Sequence, residues 1–166
     1  AKNIGAKTIA VGSSLNKLDF FKRRGSSEQI NYLHEDIKVR LKEITEGKGV
    51  NVILDLIGGH YTESALRACS RLGRVLTVGF TSGEIPKVPL NLVLLKECSI
   101  HGVFWSGPFL KENPSLFYKN HQLIIDNVQQ GIYSPYIYKT FKLKDTIKAY
   151  EEIQNRTSMG KIIILI

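Results

Sequence analysis

The 166-residue chain is poor in cysteine and has no long apolar runs, and both absences exclude classes of protein. Its 2 cysteines are too few for a disulfide framework and are not arranged at metal-binding spacing. No stretch approaches the roughly 18 apolar residues that a membrane-spanning helix needs. The chain also lacks a basic start followed by an apolar segment and a small-residue cleavage site. We therefore expect a cytoplasmic protein, with no membrane partner, whose cysteines are reduced.

Acidic residues are fewer than lysines and arginines, and the formal net charge is +8. A basic balance can serve RNA, and it can equally serve a phosphorylated cofactor. The basic runs are short, because Lys22-Arg23-Arg24 is the only triplet, and HEDIKVRLKEITEGK mixes both signs as a solvated helix face does. No recognisable nucleic-acid-binding module is present. We predict a small-molecule partner and keep RNA or protein binding as the alternative class.

Strand-like and helix-like segments alternate along the first part of the chain, which is typical of a doubly wound parallel α/β sheet. The segment VNVILDLIG is almost continuously apolar and predicts a strand buried on both faces. Apolar residues at helical spacing predict the buried sides of the intervening helices. These sets are Leu15, Leu18 and Phe21; Ile37, Leu41 and Ile44; and Tyr61, Ala65 and Ala68.

The pattern changes after about residue 106, where SGPFLKENP is typical of a linker. A long helix from about Pro114 to Gln130 is predicted next, followed by the strand YIYKTFKL, a helix over 143–155 and the strand KIIILI. We predict a boundary near Ser106 to Pro108, which separates a domain over 1–106 from a C-terminal segment over 107–166.

The glycine-rich G-x-G-x-x-G loop that opens a dinucleotide-binding fold is also missing. The opening AKNIGA has the character of a last helical turn closed by Gly5, and IGGHYT lacks the third glycine of the motif. We therefore expect the chain to be truncated at its amino end, just after the pyrophosphate loop.

An acidic residue is absent from the end of the first strand, where a fold that prefers NAD usually has one to hold the ribose 2′-OH. Gly12-Ser13-Ser14 stands there instead. Small hydroxyl residues leave space for a 2′-phosphate and can donate hydrogen bonds to it, whereas a carboxylate would repel it. The alternative is an ordinary serine N-cap of the next helix, and the two roles are compatible.

Several segments together resemble the quinone oxidoreductase branch of the medium-chain dehydrogenase/reductase superfamily. They are GAKTIAVGSSLNKLDFFKRRG, INYLHEDIKVRLKEITEGKGVNVILDLIGG, GRVLTVGFTSGEIP, LLKECSIHGVFW and GKIIIL, in this order. Members of this family are about twice as long as the present chain. The resemblance implies the C-terminal half of such a protein: a Rossmann-like NADPH-binding domain over 1–106, and a return segment of the catalytic domain over 107–166.

The resemblance further implies a zinc-independent transfer of hydride from NADPH to a quinone or an activated enone, in a homodimer paired through CSIHGVF. An enoyl-thioester reductase of the same superfamily is a further alternative. The four histidines share no metal-binding spacing, and no metal site is predicted. The catalytic group is unknown, and we expect the 166-residue chain alone to be inactive.

The resemblance implies that Lys17, Tyr32 and Arg156 join Ser13 and Ser14 around the 2′-phosphate. Tyr32 ends the second predicted strand, and neighbouring parallel strands bring their carboxyl ends to one edge. Without the resemblance these residues would be interpreted as a solvated lysine, a half-buried aromatic and an arginine at a helix end. The loops after the later strands are predicted to border the remainder of the cofactor. Their candidate residues are Ile57, Gly58, Val78, Gly79, Phe80, Thr81, Phe104 and Trp105. For the glycines, the alternative is that turn geometry alone requires them. For the Phe-Trp pair, the alternatives are that it covers the apolar core or that it lines a quinone pocket.

Overall fold

A computed structural model describes residues 1–105, 107–155 and 157–166 of the chain. The chain divides into two compact units, Ala1–Glu112 and Asn113–Ile166. Every strand pairing in both units is parallel, so the predicted α/β class with parallel sheets is confirmed. The functional boundary predicted at residues 106 and 107 stays a prediction.

The first unit alternates strands and helices. A short 3-10 turn, Lys2–Ile4, comes before β1 (Ile9–Gly12), α1 (Leu15–Arg23), β2 (Glu28–Asn31), α2 (Ile37–Ile44), β3 (Val50–Asp55), α3 (His60–Arg67), β4 (Cys69–Thr77), α4 (Leu90–Lys96), β5 (Ser99–Gly102) and α5 (Pro108–Glu112). Its strands form two sheets, β1–β2 and β3–β4–β5.

The second unit holds the predicted long helix and the last two strands. It contains α6 (Pro114–Gln129), β6 (Ile137–Lys142), a 3-10 turn at Leu143–Asp145, α7 (Thr146–Gln154) and β7 (Lys161–Leu165). Strands β6 and β7 pair in parallel. Across the described residues, none of the helices is both long enough and apolar enough to cross a membrane.

Side-chain caps explain where α1 and α2 begin. The Ser14 hydroxyl oxygen accepts the backbone N–H of Lys17 at 3.3 Å and caps α1. The Asp36 carboxylate accepts the N–H of Val39 at 2.9 Å and caps α2. Such caps satisfy backbone donors that have no partner within the helix. The serine-cap interpretation of the first turn is therefore confirmed.

Two apolar clusters form the core of the first unit. One joins β2 and α2 to the residue after α3, through Ile30, Ile37, Leu41 and Ala68. The other lies between α3, β4 and α4, and contains Leu66, Cys69, Val75, Leu92 and Cys98. These clusters hold the helices against the sheets and so fix the loops that leave the carboxyl ends of the strands.

Two expectations about burial are wrong. Strand β3 was predicted to be buried on both faces, yet Val52 is 46% and Leu54 60% exposed. In the described part of the chain β3 pairs with β4 alone and forms the edge of its sheet. In α1 only Leu18 is buried, whereas Leu15 is 71% exposed, because a sheet of two strands offers the helix only a narrow face.

Candidate functional site

The loop after β1 and the loop after β2 lie side by side. The backbone N–H of Tyr32 donates to the carbonyl of Gly12 at 3.1 Å, which extends the β1–β2 ladder by one bond. This contact places Tyr32 next to the Ser13-Ser14 turn, as the geometry of parallel strands predicts. Gly12 itself lies close to α1, since a β-carbon there would stand 3.2 Å from Leu18 Cδ2.

The turn after β2 is closed by its own polar groups. The buried Asn31 side chain accepts the N–H of Leu33 at 3.1 Å, and the Asn31 N–H donates to the Glu35 carboxylate at 2.7 Å. Glu35 is in turn paired with Arg40 of α2 at 2.8 Å. The carboxylate nearest to Tyr32 along the chain is therefore occupied by backbone and arginine donors.

The loops after β3 and β4 are joined to each other. Four backbone hydrogen bonds of 2.8–3.1 Å continue the pairing of these strands beyond their ends. They run from Val78 N to Asp55 O, from Thr81 N to Leu56 O, from Ser82 N to Ile57 O and from Gly59 N to Glu84 O. The predicted residues Ile57, Gly58 and Val78 to Thr81 thus belong to one double loop, 55–59 with 78–84.

A buried carboxylate organises this double loop from inside. Asp55 is 7% exposed and accepts hydrogen bonds from Ile57 N at 2.9 Å, Gly58 N at 3.0 Å and Thr62 Oγ1 at 2.5 Å. These three bonds compensate the cost of burying its charge. They also engage both amides internally, so neither N–H points to a ligand.

Gly58 is needed for packing within the double loop. Its φ is +74°, and a β-carbon there would stand 2.8 Å from Phe80 Cδ1 and 2.9 Å from Glu84 O. Residues with a β-carbon rarely adopt this backbone conformation, and the space at position 58 would not accommodate one. Turn geometry and packing therefore account for the glycine, and its contact with a cofactor stays a prediction.

The outward surface of the double loop has an apolar part beside the exposed polar residues Thr81, Ser82 and Glu84. Ile57 and Val78 are each 38% exposed and Phe80 is 41% exposed. The neighbouring backbone groups of Leu56, Ile57 and Gly58 are hydrogen-bonded inside the loop. A ligand on the apolar part would meet side-chain carbon rather than backbone donors.

The remaining predicted residues follow β5 or lie outside the description. The segment KECSIHGVFW predicts a strand that ends at Phe104 and Trp105, whereas β5 ends at Gly102 and both residues follow it. Phe104 is 70% exposed, which argues against a core cap, and Trp105 stacks on Phe109 with ring centroids 5.4 Å apart. Arg156 lies outside the described residues.

Two features of the site were missed from the sequence: the Asp55–Thr62 hydrogen bond, and the contact of Tyr61 with Tyr32 at a centroid distance of 4.8 Å. An Asp that ends a strand three residues before Gly-Gly is a turn signal that could have indicated the first. The second joins the loop after β2 to the first turn of α3, which is distant in sequence, and no local pattern encodes it.

No group of three or more His, Cys, Asp or Glu in the described ranges is arranged to hold a metal ion. A groove of about 520 Å³ opens near the amino ends of β1 and β3, lined by Ile9, Glu28, Val50 and Val52 among others. It lies at the opposite ends of the strands from the loops described above.

Comparisons with known proteins agree with this architecture. A family model described as zinc-binding dehydrogenase matches residues 1–124. The chain is 36% identical over 165 residues to the quinone oxidoreductase-like protein 2 homolog of Nematostella vectensis, covering 99% of this chain and 45% of that protein. Among solved structures, a quinone oxidoreductase of Pseudomonas syringae pv. Tomato DC3000 matches all of this chain and 51% of its own, with a TM-score of 0.81 and 29% identity.

An NAD-dependent alcohol dehydrogenase is also similar, with a TM-score of 0.83 and 26% identity over 100% of this chain and 46% of that one. The chain spans about half the length of the relatives it matches.

Proposed function

Since the chain belongs to the zinc-binding dehydrogenase family, within the quinone oxidoreductase branch of the medium-chain dehydrogenases and reductases, we propose that it forms most of the cofactor site of an NADPH-dependent oxidoreductase. Its relatives are oxidoreductases, and some are named for quinones. We propose NADPH as the cofactor and a quinone or an activated enone as the substrate.

The preference for NADPH rests on the turn after β1. A fold that selects NAD presents a carboxylate there, whereas this chain presents Gly12-Ser13-Ser14. Ser14 accepts the N–H of Lys17, and its hydroxyl hydrogen can still be directed to another acceptor. Tyr32 is held beside the turn by its bond to Gly12. Hydroxyl donors in a turn that itself holds no carboxylate fit a phosphate ester better than a ribose diol.

The positive members of the proposed site are Lys17 and Arg156. Lys17 lies in the first turn of α1, three residues after Ser14, so its side chain can reach a group bound at the Ser13-Ser14 turn. An ammonium acts as a point charge on phosphate, and a guanidinium can bind two of its oxygens. We propose that both neutralise the 2′-phosphate.

The double loop suits the remainder of a dinucleotide. Ligands of open α/β sheets bind beyond the carboxyl ends of the strands, where this loop lies. Its exposed Ile57, Val78 and Phe80 offer an apolar surface to a ribose or an aromatic ring. We propose that Gly79, Thr81, Phe104 and Trp105 extend this surface toward the nicotinamide.

NADPH, when bound, supplies the hydride, and the protein orients it toward the substrate. No residue of this chain is assigned as a proton donor, and we propose that the other half of the protein contributes the contacts with the substrate. We further propose a homodimer paired through β5, whose described pairing is with β4 alone. A quinone and an activated enone accept hydride in the same way, and turnover distinguishes them.

The proposal is tested by steady-state turnover of the full-length protein with a panel of quinones, a simple enone and an enoyl thioester, each with NADPH and NADH. We expect quinone or enone reduction that is faster with NADPH. Turnover of the enoyl thioester alone would assign the protein to the other reductase class of the superfamily. Absence of turnover on every substrate with either cofactor would refute the oxidoreductase proposal.

A further inference from the structure

Three aromatic rings form a row from the loop after β3 to the loop after β2. The ring of His60 lies 3.9 Å from that of Tyr61, between centroids, and the Tyr61 ring lies 4.8 Å from that of Tyr32 with a tilt of 60°. Tyr61 is the second residue of α3, directly after the Gly58-Gly59 turn. It connects the double loop with the turn that carries Tyr32.

Tyr61 packs on one of the two apolar clusters of the first unit. Both tyrosines are half-buried and rest on the cluster of Ile30, Ile37, Leu41 and Ala68. The backbone of Tyr32 is fixed separately by its hydrogen bond to Gly12, so its main chain does not depend on Tyr61. What Tyr61 constrains is the direction of the Tyr32 ring, because a tilted aromatic pair at this distance favours a defined geometry.

We propose that Tyr61 is a specificity-determining positioning residue: its ring holds that of Tyr32 so that the Tyr32 hydroxyl points to the 2′-phosphate of NADPH. This inference rests on the proposed function, in which Tyr32 binds that phosphate. The Tyr32 side chain contacts the Tyr61 ring and the apolar cluster beneath both tyrosines.

Removal of the Tyr61 ring should affect the binding of NADPH and NADH differently. If the Tyr61 ring is removed, the Tyr32 side chain gains rotational freedom, and binding of the phosphate must then restrict it again. NADH has no 2′-phosphate and does not use the Tyr32 hydroxyl. Loss of Tyr61 should therefore weaken NADPH and leave NADH almost unchanged.

The test measures dissociation constants of NADPH and NADH for the full-length protein and four variants. They are Tyr61→Leu, Tyr61→Phe, Tyr32→Phe and the double variant Tyr32→Phe/Tyr61→Leu. Tyr61→Leu keeps an apolar side chain on the core but removes the ring, and Tyr61→Phe keeps the ring. A hydrogen bond to a charged group is worth roughly tenfold in affinity, which sets the scale of the Tyr32→Phe effect.

We expect Tyr61→Leu to weaken NADPH by roughly three- to tenfold, bounded by that hydrogen bond, with NADH changed less than twofold. Tyr61→Phe should retain the wild-type ratio of the two affinities. In the Tyr32→Phe background Tyr61→Leu should have no further effect on that ratio, because the hydroxyl it positions is gone.

Equal weakening of both cofactors by Tyr61→Leu would show a merely structural role and overturn the inference, as would an unchanged ratio. A wild-type protein that does not prefer NADPH would instead refute the proposed function. If Tyr32→Phe reduces the preference and Tyr61→Leu does not, the function stands and the inference fails. An unchanged NADH affinity also reports that each variant is folded.

Discussion

The ring of Phe80 lies against the backbone of Gly58, and its Cδ1 atom is 2.8 Å from the position that a β-carbon of residue 58 would occupy. The contact adds to the four backbone hydrogen bonds that join the loops after β3 and β4. The two loops therefore form one continuous surface at the carboxyl ends of the strands. A ligand that binds there meets a preformed surface.

Gly58→Ala should destabilise the protein more than Gly83→Ala. Both glycines have positive φ, +74° and +85°, so both substitutions incur the strain of a left-handed residue, about 1–2 kcal/mol. Only residue 58 adds a steric clash, of about 1–3 kcal/mol, because nothing lies within 4 Å of a β-carbon at Gly83. Denaturant unfolding measures the difference. Equal losses would show that Phe80 adjusts freely.

Asp55→Ala should leave the amides of Ile57 and Gly58 without their acceptor. Each unsatisfied buried group costs about 1–3 kcal/mol of unfolding free energy. Asp36→Ala is the matched control, since the exposed Asp36 caps α2 with one bond and its loss costs about 1 kcal/mol. Urea unfolding compares the two variants. A smaller loss for Asp55→Ala than for Asp36→Ala would contradict the role of Asp55 in the double loop.

The pH dependence of stability should include a contribution from Cys69. Burial, and then the neighbouring Cys98, raise the pKa of the Cys69 thiol from 9.0 to about 11. Between these values the unfolded chain releases the proton and the folded chain keeps it, so the free energy of unfolding falls as the pH rises from about 9 to about 11. The contribution is fully present below pH 9.

This contribution is isolated by comparing wild type with Cys69→Ala in denaturant unfolding at pH 8 and pH 10. At one pH unit above the unfolded pKa, the advantage of wild type over the variant should shrink by up to about 1.4 kcal/mol. The comparison cancels titration of lysines and tyrosines, which both proteins share. An advantage of the same size at both pH values would contradict the raised pKa.

Lys17→Ala and Arg156→Ala in the full-length protein should each weaken NADPH by about 1–3 kcal/mol, the scale of a hydrogen bond between charged groups. NADH, which has no 2′-phosphate, should bind almost as before. Lys22→Ala, in the last turn of α1, is a control for loss of positive charge on the same helix. Equal weakening of both cofactors, or an effect of Lys22→Ala as large as that of Lys17→Ala, would contradict the assignment.

Much of the fold could be predicted because its signals are local. Pro114 at the start of α6 and the apolar run of β7 define these elements to within a residue or two. The meeting of Tyr32 with the Ser13-Ser14 turn followed from the parallel order of two neighbouring strands. What the sequence could not show depends on contacts between distant segments. The exposure of Leu54 depends on which strand pairs beside β3, and the Tyr32–Tyr61 contact depends on how α3 packs.

The proposed cofactor site selects NADPH by its 2′-phosphate. This selectivity is tested most directly by titrating the full-length protein with NADPH and with NADH under identical conditions and comparing the dissociation constants. We expect NADPH to bind at least roughly tenfold more tightly, the effect of one charge-assisted hydrogen bond. Equal affinity for the two cofactors, or tighter binding of NADH, would contradict it.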